Sequence, residues 1–252
     1  MIRNLFMLMV YLFLYIPILI LILFSFNESQ FATKWTGFSF KWYEALFANK
    51  ELLFVTLNSV FLACFAASVA TFMGTVLATF FRFFKLRSKG FLKSLVYILL
   101  LSPDLVMGIA FLIMFVGVGL EPGFISLLIA HVSFCLPFVI VTILARLQDF
   151  NPQLLEAAYD LGATPATAIR SVLIPNILPA IISAWLLSFT LSMDDVIISF
   201  FVTGPSYEVL PLKIYSMVRL GIKPEVNALC TLIFLLSLSM VLGSRFLARK
   251  SE

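Results

Sequence analysis

Long apolar stretches alternate with shorter polar ones along this chain, at approximately residues 5–26, 53–81, 94–118, 124–145, 179–203 and 226–247. A helix needs about 20 apolar residues to cross about 30 Å of hydrocarbon, so each stretch is long enough to span a membrane. The pattern predicts an all-α, polytopic membrane protein with six transmembrane helices. The first stretch follows Met-Ile-Arg-Asn without a small-residue cleavage site and is too long for the apolar core of a secretory signal, so it reads as an uncleaved span. Pro17, Pro103 and Pro137 interrupt apolar runs. Each removes a backbone hydrogen bond and allows a kink where neighbouring helices satisfy the freed carbonyl.

Six spans put both termini on one side, and the basic residues select that side. With the termini inside, Arg3, Arg82, Lys85, Arg87, Lys89, Lys93, Arg146, Arg170, Arg245, Arg249 and Lys250 are cytoplasmic, 11 of the 17 Lys and Arg residues. The others, Lys34, Lys41, Lys50, Lys213, Arg219 and Lys223, fall in two longer outer loops, where positive charge constrains topology less. Both termini are therefore expected in the cytoplasm. Hydrophobic residues make up 62% and charged residues 12% of the chain, against roughly half and a quarter in soluble domains. The net charge of +4 reflects this topology signal and not a nucleic-acid surface. No linker or repeat divides the chain, which predicts a single transmembrane domain over 1–252, with a cytoplasmic loop at 146–178 and outer loops at 27–52 and 203–225. Trp35, Trp42 and Tyr43 in the first outer loop suit a membrane interface. In the second, a Gly204-Pro205 turn precedes Leu212, Tyr215 and Val218 at near-helical spacing, the pattern of a short helix against the outer face.

The cytoplasmic loop carries the densest local information, NPQLLEAAYDLGATPATAIRSVLIP from Asn151 to Pro175. Asn151 caps a helix whose first turn accepts Pro152, because proline's missing N–H would be unpaired there. Leu154, Leu155, Ala158 and Leu161 recur at helical spacing, and Gly162 supplies the permissive backbone of a helix end. Thr164 and Pro165 repeat the cap-then-proline signal, and Pro175 is expected to end the second short helix. The prediction is helix, turn, helix, either as an ordinary amphipathic loop or as a docking element for a soluble partner.

The strongest chemical signal is anionic and lies inside the spans. Asp104 falls near the middle of the third stretch, Asp194 and Asp195 near the middle of the fifth. A carboxylate at the centre of a membrane helix costs on the order of 2.5 to 3.5 kcal/mol on insertion scales, so each should face a partner, a water-filled cavity or a substrate. No Lys or Arg lies deep in any span to neutralise them. A cation from outside would do so. Adjacent helical positions diverge by about 100°, so the two neighbouring aspartates do not form a clamp unless the helix unwinds. Ser188, Ser192, Asp195 and Ser199 make one polar stripe, and Ser183, Thr190 and Asp194 a weaker second. On this basis Asp195, with Ser192, is expected to line a pathway and Asp194 to lie at a helix contact or a second cavity wall. The competing reading is that the serines are packing glue between helices, which leaves the aspartates unexplained. Trp185 and Phe189 on the same helix offer ring faces to an alkylammonium, worth roughly 0.5 to 2 kcal/mol.

Cys64, Cys135 and Cys230 all fall in apolar stretches and imply packing, not disulfides. His131, the one histidine, suits an interhelical hydrogen bond better than a metal site. No group of Cys, His and carboxylates has ligand spacing. The chain has no G-x-x-x-x-G-K-[ST] phosphate loop, so any ATP-driven step needs another polypeptide to bind the nucleotide.

The loop sequence resembles the EAA loop of ABC importer permeases, through Glu156, Ala157, Ala158, Gly162 and Pro175, with Val172 and Ile174 as conservative departures. Further stretches, YLFLYIPIL, LLSPDLVMGI, HVSFCLPFVIVT and LSFTLSMDDVIISFFVTGPSYEVLPLKIYSMV, are similar to the spermidine/putrescine permeases of that class over nearly the full length. The resemblance implies a MetI-like fold, a second permease subunit, two copies of a cytoplasmic ATPase that carry ATP and Mg, a periplasmic polyamine-binding protein, and a place in the bacterial inner membrane. It implies ATPase coupling through Glu156, Ala157, Ala158, Gly162 and Pro175, and no cofactor or catalysis in this chain. Rival readings are a proton-coupled secondary transporter relaying through Asp104, Asp194 or Asp195, a membrane-embedded enzyme, and an ABC importer permease for another small solute. The first gives the EAA loop no purpose, and the second lacks a nucleophile, a base or a metal site.

Overall fold

The computed structural model describes residues 2–29, 34–84, 87–220 and 224–249. Among them the regular structure is helical: α1 Ile2–Ser25, α2 Lys41–Ala48, α3 Lys50–Phe83, α4 Lys89–Leu101, α5 Asp104–Val118, α6 Phe124–Asp149, α7 Gln153–Asp160, α8 Pro165–Ala168, a π turn at Ile169–Leu173, α9 Ile174–Asp194, α10 Ile197–Val202, α11 Leu210–Leu220 and α12 Pro224–Arg249. Four helical stretches are long and apolar enough to cross a membrane: Asn4–Ser25, Lys50–Phe83, Phe124–Asp149 and Pro165–Asp194. The stretch expected to form the third span is two helices, α4 and α5, bent by 109° at Ser102–Pro103. A proline there has no N–H to continue the helix, and the preceding serine is forced to extended backbone, ψ 134°. Pro17 and Pro137 by contrast sit inside unbroken helices.

Two compact units emerge, Met1–Leu57 with Leu212–Gly243, and Asn58–Pro211 with Ser244–Glu252. In the first, Asn27 organises the stretch between α1 and α2. Its side chain donates to the Lys34 carbonyl at 2.8 Å and accepts from the Thr36 N–H at 3.0 Å, while its carbonyl accepts from the Trp42 indole at 2.6 Å. Trp42 is consequently buried at 6% exposure and is not the interfacial anchor expected of it; Trp35 stays half exposed. The predicted short helix of the second outer loop forms as α11, while residues 221–223 lie outside the described set.

The second unit holds the residues of functional interest. Its core runs along α3, α6 and α9, with Ala70, Ala78, Cys135, Val139, Ile143, Leu173, Ile177 and Ala184 buried together. Small residues on α3 let the helix backbones approach closely, the packing that stands in for a hydrophobic drive between helices in lipid. The loop after α10 is tied to its surroundings by hydrogen bonds: Tyr207 donates to the Asn58 carbonyl at 2.7 Å, and the Leu210 N–H to Ser59 Oγ at 2.6 Å. Gly204 lies directly against the Pro122 carbonyl, where no side chain fits. Gly204→Ala should therefore lower the stability of the protein by on the order of 1–3 kcal/mol, measured as a drop in the thermal midpoint in detergent, while Ser206→Ala, at an exposed neighbour, should not.

Candidate functional site

Two places in the second unit carry the predicted chemistry. The first is the loop from Asn151 to Pro175. Asn151 Oδ1 accepts the Gln153 N–H at 3.0 Å, so it caps α7 as its residue type predicts. At the far end Gly162 takes φ +85°, its N–H bonds the Tyr159 carbonyl at 2.9 Å, and the Ala163 N–H bonds the Ala158 carbonyl at 3.0 Å. That is a Schellman stop, which needs a residue tolerant of left-handed backbone. Thr164 Oγ1 then accepts the Thr167 N–H at 3.3 Å and starts α8.

The second short helix does not end at Pro175. Helix continues unbroken from Pro165 to Asp194. The π turn at Ile169–Leu173 widens the backbone just before Pro175, in register with a nitrogen that has no proton to donate, so the proline falls in the first turn of α9 and not at a terminus. The loop and the membrane helix are one continuous element.

Of the apolar residues that recur at helical spacing here, Leu155 is buried and Ala158 half-buried, while Leu154 is 45% and Leu161 89% exposed. Glu156 and Ala157 are exposed as well. Between α7, the π turn and the end of α3 lies a groove of about 330 Å³, lined by Phe83, Phe84, Leu155, Glu156, Tyr159, Ile169 and Leu173 among others. Glu156 is the one carboxylate on this mostly apolar lining, to which Thr79 and Tyr159 bring hydroxyls.

The second place is the break between α9 and α10. Helix stops at Asp194, Asp195 is extended at φ −69° and ψ 120°, and α10 restarts at Ile197. The helix does unwind at the aspartate pair. Asp195 closes the gap: Oδ1 accepts the Ile198 N–H at 3.1 Å, and Oδ2 accepts the Ser199 N–H at 2.7 Å and the Ser199 hydroxyl at 2.8 Å. The residue is 8% exposed. His131, buried on α6, bridges the break, with Nδ1 2.7 Å from Ser192 Oγ and Nε2 3.0 Å from Ser199 Oγ. Asp195 Oδ2 lies 3.6 Å from Nε2.

The two polar stripes read from the sequence separate as expected. Ser188, Ser192, Asp195 and Ser199 are buried, the last three beside His131, whereas Ser183, Thr190 and Asp194 are exposed. Asp195 is occupied by backbone and hydroxyl donors, so the carboxylate of the pair left open is Asp194. His131 makes the interhelical bonds expected of it, and Ser199 is the partner that links it to Asp195. The signal in the sequence was an aspartate, a strong helix-capping type, three and four residues before the amides that it caps.

Asp104, half-buried, opens α5 directly after the Ser102–Pro103 break. One turn further on, Gly108 lies against α10, where a Cβ would stand 2.7 Å from Phe201 Cδ2 and 3.4 Å from Ile198 Cα. Beyond the helix ends Gly204 meets Pro122. Trp185 lies some 13 Å down α9 from Asp194 at 1.5 Å per residue, stacked on Phe189 with centroids 5.6 Å apart, and its indole N–H donates to Ser68 Oγ at 3.0 Å.

Residues 70–250 match the family described as binding-protein-dependent transport system inner membrane component. The chain belongs to this family of transport permease subunits. It is 49% identical over 249 residues to the spermidine/putrescine transport system permease protein PotC of Escherichia coli (strain K12), covering 99% of this chain and 94% of the relative. It is 48% identical over 251 residues to the protein of the same name from Haemophilus influenzae (strain ATCC 51907 / DSM 11121 / KW20 / Rd), covering 100% and 98%. Among solved structures, a bacterial ABC transporter involved in the import of the acidic polysaccharide alginate superposes with a TM-score of 0.73 at 16% identity, over 99% of this chain and 95% of that one. The all-helical permease fold is thus shared, and the chain is a membrane transport subunit and not an enzyme.

The contrast between the two aspartates is open to a stability test. Asp195→Ala removes a cap worth about 0.5–2 kcal/mol and leaves buried donors unpaired. It should lower the thermal midpoint of the detergent-solubilised protein, measured by size-exclusion after heating. Asp194→Ala should leave that midpoint near the wild-type value.

Proposed function

We propose that this chain is one of two permease subunits of an ATP-driven importer that carries polyamines, spermidine and putrescine, across the bacterial inner membrane. Near-half identity to PotC along the whole chain supports the cargo, and the observation that carries the chemistry is Asp194, a carboxylate on a membrane helix with no Lys or Arg deep in any span to neutralise it. Burying an unpaired carboxylate in hydrocarbon is costly, and an ammonium group passing along a hydrated path between subunits offsets that cost only while it is bound. Polyamines are flexible alkyl chains with ammonium groups, so carboxylates beside helix breaks in an otherwise apolar span suit both parts of the molecule. Asp104 and Asp194 are the cargo-contacting pair in this reading; Asp195 and Ser192 support the backbone beside them.

The four long apolar helices, the bent α4–α5 pair taken as one span, and α12 add up to six crossings. The Lys and Arg distribution then puts both termini and the EAA loop in the cytoplasm. Exposed Leu154 and Leu161, with Glu156 beside the apolar groove, form the docking face for a cytoplasmic ATPase subunit, of which two copies serve the two permeases. ATP and Mg act on that partner. A periplasmic polyamine-binding protein delivers the cargo from the other side. Closure of the ATPase dimer moves α7, and the unbroken helix from Pro165 carries the displacement to Asp194. No bond is made or broken in this chain.

The test is uptake of labelled spermidine by the co-expressed complex in proteoliposomes, with excess binding protein and a neutral sugar as control. Uptake should require ATP and exclude the sugar. Asp194→Asn should cut spermidine uptake roughly 10- to 100-fold, the range for losing a hydrogen bond to a charged group; a wild-type rate would remove Asp194 from the pathway. Glu156→Arg should abolish uptake with the permease still inserted in the membrane. ATP-dependent uptake of the sugar in place of spermidine would keep the importer and discard the polyamine assignment.

A further inference from the structure

We propose that His131 is a positioning residue for cargo selection: it splints the α9–α10 break and thereby sets where Asp194 presents its carboxylate. This rests on the reading of Asp194 as the cargo contact. His131 lies on a different helix from the break and bonds to both sides of it, Ser192 before and Ser199 after. The direction of the bonds follows from what each group has to offer. Asp195 Oδ2 can only accept, so Ser199 spends its one hydroxyl proton on that oxygen at 2.8 Å. The 3.0 Å contact between Ser199 Oγ and His131 then requires the ring Nε2–H as donor. His131 Nδ1 closes the chain on Ser192 Oγ at 2.7 Å.

The result is an ordered run from α6 through the imidazole to Ser199 and the capping carboxylate. All four side chains are buried, with His131 at 2% and Ser199 at 0% exposure. Ser192 is two residues before Asp194 and Asp195 one after it. The backbone of Asp194 is thus clamped on both sides by groups that His131 holds, while its own side chain is exposed. Helix propensity alone does not fix such a break, since nothing between Met193 and Ile197 is Gly or Pro. Loss of the splint lets the break wander and changes the spacing that Asp194 offers to the ammonium groups of the cargo. Spermidine and putrescine differ in that spacing, so the first consequence is a change in preference between them.

The experiment uses the complete complex in proteoliposomes with excess polyamine-loaded binding protein, and reads the ratio of initial spermidine to putrescine uptake in the same vesicles. That ratio does not depend on how much complex has folded. His131→Leu should shift it roughly two- to tenfold, the range for losing one buried neutral hydrogen bond. Ser199→Ala, which cuts the same run while keeping the ring, should shift it in the same direction. His131→Gln, whose amide N–H reaches toward Ser199, should restore most of the wild-type ratio. A lower total uptake at an unchanged ratio in both His131→Leu and Ser199→Ala would overturn the proposal and leave His131 with packing alone. So would His131→Gln shifting the ratio as far as His131→Leu. Asp194→Asn, run beside them, separates the two levels of the argument: a reduced uptake there with unshifted His131 variants defeats the splint but not the cargo site. A wild-type result for Asp194→Asn defeats the cargo site and the splint together.

Discussion

A helix that breaks inside hydrocarbon must satisfy its freed backbone groups from within the protein, and the arrangement of this permease around α9 and α10 follows from that constraint. Asp195 meets it by accepting the Ile198 and Ser199 amides. The cost of placing that carboxylate in the membrane is offset by three donors, the Ile198 and Ser199 amides and the Ser199 hydroxyl. With one aspartate so used, its neighbour emerges on the exposed face. The same constraint governs the second break, where Pro103 removes an amide that would otherwise need a partner and Asp104 stands in the first turn of the helix that follows. Each break thus has a carboxylate beside it, Asp104 at one and Asp194 at the other.

The loop has a similarly local origin. A Schellman stop at Gly162 and a threonine cap at Thr164 set the turn between α7 and α8, so the exposed face of α7 has a defined geometry. From Pro165 onward the chain is helical to Asp194. In the proposed coupling a displacement at the loop travels along this one element, and the π turn before Pro175 accommodates the proline within the helix. π turns inside α-helices are frequent at functional sites because they alter register without breaking the helix.

The alginate importer shares this fold at 16% identity and is involved in the import of an acidic polysaccharide. A fold by itself does not set the cargo. In the proposed function the selecting side chains are anionic and sit where helices stop. Trp185 is held two or more turns from Asp194 by stacking on Phe189 and by Ser68.

Much of this was legible in residue order. Apolar run lengths announced the spans, the cap-and-proline signals announced α7 and α8, and the spacing of Ser188, Ser192, Asp195 and Ser199 announced a single polar face, because these signals depend on local chain geometry alone. Residue order did not say which way that face turned. Periodicity records that residues share a side of a helix, but which side is buried depends on what packs there, and here it was His131 on α6, more than 60 positions away in sequence from Ser199. Nor did it reveal that Pro175 lies within a helix, since one π turn upstream changes the register that a proline must meet. The sequence by itself determined a helical membrane permease with a coupling loop and intramembrane carboxylates. Only the packing of α6 and α5 against the broken α9–α10 segment decided that Asp195 is a cap and Asp194 is open, because burial is a property of neighbours and not of spacing.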